Sequence, residues 1–496
     1  MYSKVKQVAR KVLTVESNIE SGLYRYLSDR ETTEKIREQL RNMPISNGSA
    51  YYKKINKTVG IIADEFIYMV YKDCCDLVYL TPENWQDVIS NLDAVIIVST
   101  WRGLNKEWEA IHIKDSYTNQ QVEKIKTEAR NKDIPVVFYS KEDPPNFEVF
   151  LSLAKDVDVI FTSAEECIEK YNMEYPATPC FCLNFTFNPI LHNPIGLCEN
   201  MFENTVVFAG SWMKKYPIRT EEQKQIFEYI YKSGLNLTII DRNFERKERN
   251  YLYPWKYVKD VVASFTYTEI AKIYKMFPFV LNLNSVSKSS TMFANRVYDA
   301  SACGSLLLSN NSKGMERLFP EVRVVKEQSD IESIKDISEK DMYSKRVKVI
   351  RDTYKKNTAY ENMSYVLECA GIKVDTIVNP LVGVVISDGY TGEREYQDMF
   401  QRQTYQNKVL LSEEEWHNSL IPIDYVSFWS KEMKYEENYV EDIINGFKFT
   451  DSDYVARASE NQSRHNYVGY VKDKYKTIYK LKNGKDISEQ KGYLIH

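Results

Sequence analysis

No apolar run in the 496-residue chain reaches the roughly 18 residues that a membrane-crossing helix needs. The opening MYSKVKQVARKVLTVESNIE is amphipathic and lacks the apolar core of a signal peptide. The eight cysteines are scattered, and Cys180 and Cys182 make only a C-x-C with no second pair at zinc spacing. No His/Asp/Glu cluster stands at ligand spacing either, so no metal is expected. Charge of one sign is missing too: 66 basic residues face 70 acidic ones, for a net charge of −4. Bulk charge therefore gives no sign of a nucleic-acid binder. These absences argue against membrane-spanning, secreted disulfide-stapled and zinc-ribbon proteins. The expected protein is reduced and cytoplasmic, with no membrane span. What is present is an ordinary globular composition, 43% hydrophobic and 27% charged. The length suits about two to four domains.

Residues 1–50 are charged and helix-prone, with Ile19, Leu23 and Tyr26 at helical spacing and Ile36 and Leu40 again so. They could pack on the first domain or form an oligomer contact. Thr58–Ala63, Leu77–Leu80, Ala94–Ser99, Ile134–Tyr139 and Val157–Thr162 are short apolar runs, with a helix predicted over Gln120–Asn131. Strands alternating with helices predict a parallel sheet covered on both faces. Ligands of such sheets bind beyond the carboxyl ends of the strands. That rule puts Asp64, Glu65, Trp101, Arg102, Glu142 and Asp143 along one rim. A second series starts at Phe202–Ala209, with a helix from Thr220 and a strand at Leu237–Asp241. Its centre is Phe279–Asn311, FVLNLNSVSKSSTMFANRVYDASACGSLLLSNN. Phe279–Leu283 and Ser305–Ser309 read as buried strands. Ser289 or Ser290 is placed to cap a helix whose face is Phe293, Val297 and Ala300. Such a loop and helix start favour a phosphate.

The wording of that centre resembles the nucleotide-sugar-binding segment of the CgeB-like glycosyltransferases, relatives of the GT-B group. The shared pattern is an Asn-rich strand, a Ser/Thr loop, Met-Phe, Arg-Val-Tyr-Asp and Ala-Cys-Gly before an apolar strand. STWRGLNKEW, IPVVFYSKEDPPNFEVF, FNPILHNPI and VVFAGSWMKKYPIR resemble further segments of the family, in order, over about residues 58–370. After Asp375, LVGVVISDGYTGEREYQDMFQRQTYQNKVLLSEEEW resembles the start of a GT-A glycosyltransferase. Its expected metal-binding Asp-x-Asp is replaced by Phe428-Trp429-Ser430, and Asp451-Ser452-Asp453 reads as surface polarity.

The resemblance implies an α/β chain of GT-B fold, with two Rossmann-like domains facing across a cleft. The expected divisions are a helical segment 1–50, an acceptor-side domain 51–200, a nucleotide-sugar domain 201–375 and a degenerate GT-A-like accessory domain 376–496. It implies hexosyl transfer from a nucleotide diphosphate sugar, first among them a UDP-sugar, to a glycan, protein or other surface-related acceptor. A bacterial or phage context follows. Neither a cofactor nor a metal is expected. A homo-oligomer could form through the N-terminal helices or the C-terminal domain.

Arg296 can meet the diphosphate bidentately. Lys214, Lys215 and Arg219 follow Gly210 at a strand-loop turn, where relatives place a second phosphate clamp. Ser289, Ser290 and Thr291 can donate hydroxyl hydrogen bonds. Asp299 stands where relatives bind the ribose with a glutamate. Their second glutamate, eight positions earlier, is Thr291 here, which leaves retention or inversion open. Glu142 and Asp143 are candidates for the base, Asp64, Glu65, Trp101 and Arg102 for acceptor contacts, and His192 is read as structural. Two rival readings remain: a non-catalytic sugar- or nucleotide-binding assembly protein, and a nucleoside- or DNA-modifying glycosyltransferase.

Overall fold

A computed structural model describes residues 18–198, 201–212, 214, 216–246, 248–375, 379–387, 391–459, 462–470, 473–482 and 485–496. These form two compact units, one of 18–43 with Cys198–Val349 and one of Pro44–Leu197 with Ile350–His496. No helix among the described residues is long and apolar enough to cross a membrane.

The second unit starts with β1 (Ile55–Ile62), β2 (Cys75–Tyr79), β3 (Ala94–Val98), β4 (Val136–Ser140), β5 (Val159–Thr162) and β6 (Cys180–Cys182). They pair in the order β2-β1-β3-β4-β5-β6, all parallel. AVIIV and VVFYS are buried at every position, as strands covered on both faces must be. The predicted helix starts three residues early, at Tyr117, because Ser116 accepts a hydrogen bond from the Asn119 amide.

The other unit holds β7 (Thr205–Gly210), β8 (Asn236–Asp241), β9 (Val261–Val262), β10 (Phe279–Asn282), β11 (Leu306–Ser309) and β12 (Arg323–Val324). Their order is β12-β11-β10-β7-β8-β9, again all parallel. This is the dinucleotide-fold order, which reverses between β7 and β10. Both sheets bear out the expected pair of Rossmann-like parallel sheets.

The C-terminal region adds a mixed α/β sheet. Val382–Ile386, Lys408–Ser412 and Tyr425–Trp429 run parallel, and Thr477–Lys482 joins them antiparallel to Tyr454–Arg457. It falls in the same compact unit as the first sheet. The Ala50 amide donates to the carbonyls of Phe447 and Thr450, and half-buried Lys448 donates to the Tyr354 carbonyl at 2.7 Å. Arg351 binds both oxygens of Asp442 at 2.5 and 2.7 Å. Asp442 is buried, yet His496 and Arg351 hold its carboxyl below the ordinary range. Asp442→Ala strands a largely buried guanidinium, so it should lower unfolding free energy by about 3 kcal/mol in a urea titration. A change below about 0.5 kcal/mol would make the pair dispensable. Asp453 corrects the surface reading: it is buried, pairs with Lys482 at 2.6 Å and accepts from Ser488 at 2.7 Å.

Two further expectations are corrected. The N-terminal helices, 18–27 and Arg30–Asn42, pack on the second sheet rather than the first: the Asp29 amide donates to Val261 and the Tyr24 hydroxyl to Asp241. Ile36 and Leu40 are buried, but Ile19, Leu23 and Tyr26 stay exposed. The helix in the central stretch is Arg296–Ala302, preceded by Asn295 and not capped by Ser289 or Ser290. Phe293 lies outside it and stacks on Tyr298 at 5.6 Å.

Candidate functional site

The strand order of the second sheet reverses beside Gly210, at the carboxyl end of β7. The Arg296 guanidinium reaches back to the Ala209 carbonyl there and lies 5.5 Å from the Phe208 ring centre. A Cβ on Gly210 would stand 2.5 Å from that ring, so glycine lets Phe208 pass beneath the arginine. Arg219 comes from the first turn of the helix Pro217–Lys232, which Pro217 opens. Burial lowers its pKa, and the facing Arg296 lowers it further. Nε of both arginines is buried without a hydrogen-bond partner. Two like charges with idle donors, at a switch point and a helix N-terminus, form a site that an anion would complete. Lys214 stands exposed and donates to the Arg249 carbonyl at 3.4 Å. Lys215 lies outside the described residues.

The loop after β10 is held by an amide network. Asn282 donates to Asn284 and Ser309, each at 3.0 Å, and Asn310 donates to Glu222 at 2.8 Å and to the Asn284 carbonyl. Ser289 is buried, and its hydroxyl accepts from the amides of Thr291 and Met292 at 3.4 and 3.0 Å. Accepting these two bonds closes its own turn and leaves its O–H as the remaining donor. Thr291 is buried as well, and Ser290 is half-buried. Gly314 lets the helix Lys313–Leu318 approach: a Cβ there would be 2.9 Å from the Ser290 carbonyl carbon.

Asp299 sits on the same short helix as Arg296. Tyr267 donates to one of its oxygens at 3.0 Å and Asn295 to the other at 2.9 Å. Burial pushes its pKa up to about 7, against those hydrogen bonds and Arg296. Its carboxyl is buried, at the position proposed from the sequence to bind the ribose. Asp241, at the end of β8, was missed in the sequence. It accepts from Tyr24 at 2.9 Å and from the Asn243 amide at 2.8 Å, and burial raises it to about 6.

The rim of the first sheet is tied together more tightly than expected. Asp64 accepts from the amides of Trp101, Arg102 and Gly103 at 3.1, 3.0 and 3.0 Å and pairs with buried Lys141 at 3.2 Å. It fixes the loop after β3 and is not an open acceptor contact. Lys141 also pairs with Glu142, whose other oxygen accepts from Asn146 at 3.1 Å. Asp143 is fully buried and accepts from Thr162 at 2.6 Å and Tyr171 at 3.1 Å, which removes it as an exposed base. Glu65 is exposed, and Arg102 pairs with Glu109 at 3.5 Å. Trp101 meets His112 and Phe150 edge-on, at 5.3 and 4.9 Å. Burial lowers the His112 pKa, and its Nδ1 is buried without a hydrogen-bond partner. No motif surrounds this histidine, so nothing in the sequence singled it out. His192 is buried, and its carbonyl accepts from Tyr354 at 2.9 Å, as a structural residue would. Among the described residues no group of His, Cys, Asp or Glu could hold a metal.

Residues 224–355 match a family model described as "Glycosyl transferase-like". The match covers β8 through β12 with Arg296 and Asp299, and it agrees with the expected enzyme class, a glycosyltransferase. No curated protein matches the chain. Similar solved structures include an alpha-glucosyltransferase in complex with UDP and a 13-mer DNA containing a HMU base. It is 12% identical at a TM-score of 0.43, covering 64% of this chain and 100% of that one. T4 phage BGT in complex with UDP-glucose is another, 9% identical at a TM-score of 0.39, covering 64% and 99%. Neither carries residue roles to this chain.

Proposed function

We propose that the protein is a GT-B glycosyltransferase that moves a hexose-type sugar from a nucleotide diphosphate donor, a UDP-sugar first. The observation that carries this reading is the Arg219–Arg296 pair with its buried, unpartnered Nε groups. A departing nucleoside diphosphate gains negative charge as the glycosidic bond breaks. Two guanidiniums held at one strand end meet that charge without a metal. Asp299, once its proton is lost or shared, accepts from the ribose hydroxyls. On the first sheet, Glu142 and His112 are the groups placed to take a proton from an acceptor hydroxyl. The acceptor is proposed to be a glycan or a protein.

Incubation with UDP-, GDP- and dTDP-hexoses tests this. Release of nucleoside diphosphate from a UDP-hexose is expected, and it should persist in excess EDTA. Loss of turnover in EDTA with recovery on adding manganese would reject the arginine-only account of leaving-group stabilisation.

A further inference from the structure

A separate cavity of about 180 Å³ opens at the far end of β10 and β11 from the arginine pair. Phe279, Leu308 and Val322 give it an apolar floor, and Val349 of the helix Glu339–Tyr354 closes one side. Its volume exceeds the roughly 150 Å³ in which an apolar cavity holds benzene, so one apolar side chain of about that size fits inside. The walls are not purely apolar. Ser301 is 1% exposed, and its hydroxyl lacks a hydrogen-bond partner. One oxygen of Glu321 is buried and equally unpartnered. A buried carboxylate oxygen and a buried hydroxyl left idle are expensive in an empty site, and both are met by an N–H donor. Lys345 and Arg323 line the same cavity from exposed positions, where they can meet an anion.

We propose that this cavity binds a small apolar amino acid of the phenylalanine or leucine kind. Its side chain fills the floor, its ammonium donates to Glu321 and Ser301, and its carboxylate meets Lys345 and Arg323. Neither a simple fatty acid nor a simple amine satisfies both sets of groups. The proposal stands apart from the donor reading, because the ligand is no nucleotide and the lining lies at the opposite strand ends.

Calorimetric titration of the full chain with L-phenylalanine and L-leucine tests it, with 3-phenylpropionate and phenethylamine as single-charge comparators. One amino acid per chain should bind, and each comparator at least about tenfold more weakly. Glu321→Gln and Lys345→Glu should each weaken binding at least about fivefold, and Val349→Trp should abolish it by filling the cavity from its side. Lys345 is exposed, so its variant keeps the test valid if Val349→Trp fails to fold. The proposal is overturned if neither amino acid binds, if a comparator binds as well, or if Lys345→Glu and Glu321→Gln leave affinity unchanged.

Discussion

Arg219→Met is expected to lower glycosyl transfer by about 10²–10³-fold while raising the melting temperature of the empty protein. The two effects share one cause. In the empty protein Arg219 is a half-buried cation near a second cation, and both desolvation and Arg296 push its pKa down. Its Nε has no partner, so methionine of similar length removes an unmet donor and a like-charge contact while keeping the stem's packing. A gain of about 1 kcal/mol corresponds to about 2–4 °C for a unit of this size. In the reaction the same group meets the charge of the departing diphosphate, so its loss falls on the transition state. Arg296→Ala should lower transfer by a similar factor but gain no stability, because it also gives up the Ala209 carbonyl and the face of Phe208. Scanning calorimetry and donor kinetics on the two variants check this. Equal loss of stability in both would mean that the arginines are scaffold.

Asp299→Asn should flatten the pH dependence of stability and weaken nucleotide binding. The folded-state pKa of about 7 lies above the ordinary carboxylate value, because burial disfavours the charge. Between about pH 4 and pH 7 the folded protein keeps a proton that the unfolded chain has released. The contribution is therefore full below the unfolded pKa and is lost as pH rises through 7. At about 1.4 kcal/mol per unit, the parent should lose about 2–4 kcal/mol from this group between pH 4 and pH 8. Asp241 and Asp143 are raised in the same direction, so the difference between parent and variant isolates Asp299. At pH 8 the variant should be the more stable protein and should bind UDP about tenfold more weakly. Urea titrations at both pH values decide it; parallel pH profiles for the two proteins would place the titration elsewhere.

The sheets were legible in the sequence because parallel strands covered on both faces are short unbroken apolar runs, as in AVIIV and VVFYS. Very short strands such as β9 and β12 leave no such run. The start of the central helix was misread because a serine hydroxyl can close its own turn as well as cap a helix. Ser289 does the former. Helical spacing picked Ile19, Leu23 and Tyr26 as the packing face, whereas the anchor is Tyr24, whose hydroxyl needs Asp241. Asp143 sits in a motif that reads as a rim base, but Thr162 and Tyr171 arrive from later elements and bury it. Local sequence shows which residue ends a strand and not what folds over it. The meeting of Arg219 with Arg296 is likewise a product of strand order, which brings β7 beside β10.

The claim that Arg219 and Arg296 hold the donor's diphosphate is tested most directly by calorimetric titration of UDP and of uridine in EDTA buffer, with parent and Arg219→Met side by side. The parent should bind one UDP per chain, at least about tenfold more tightly than uridine, and the variant should lose most of that advantage. UDP bound no better than uridine by the parent, or an advantage unchanged in Arg219→Met, would contradict the assignment.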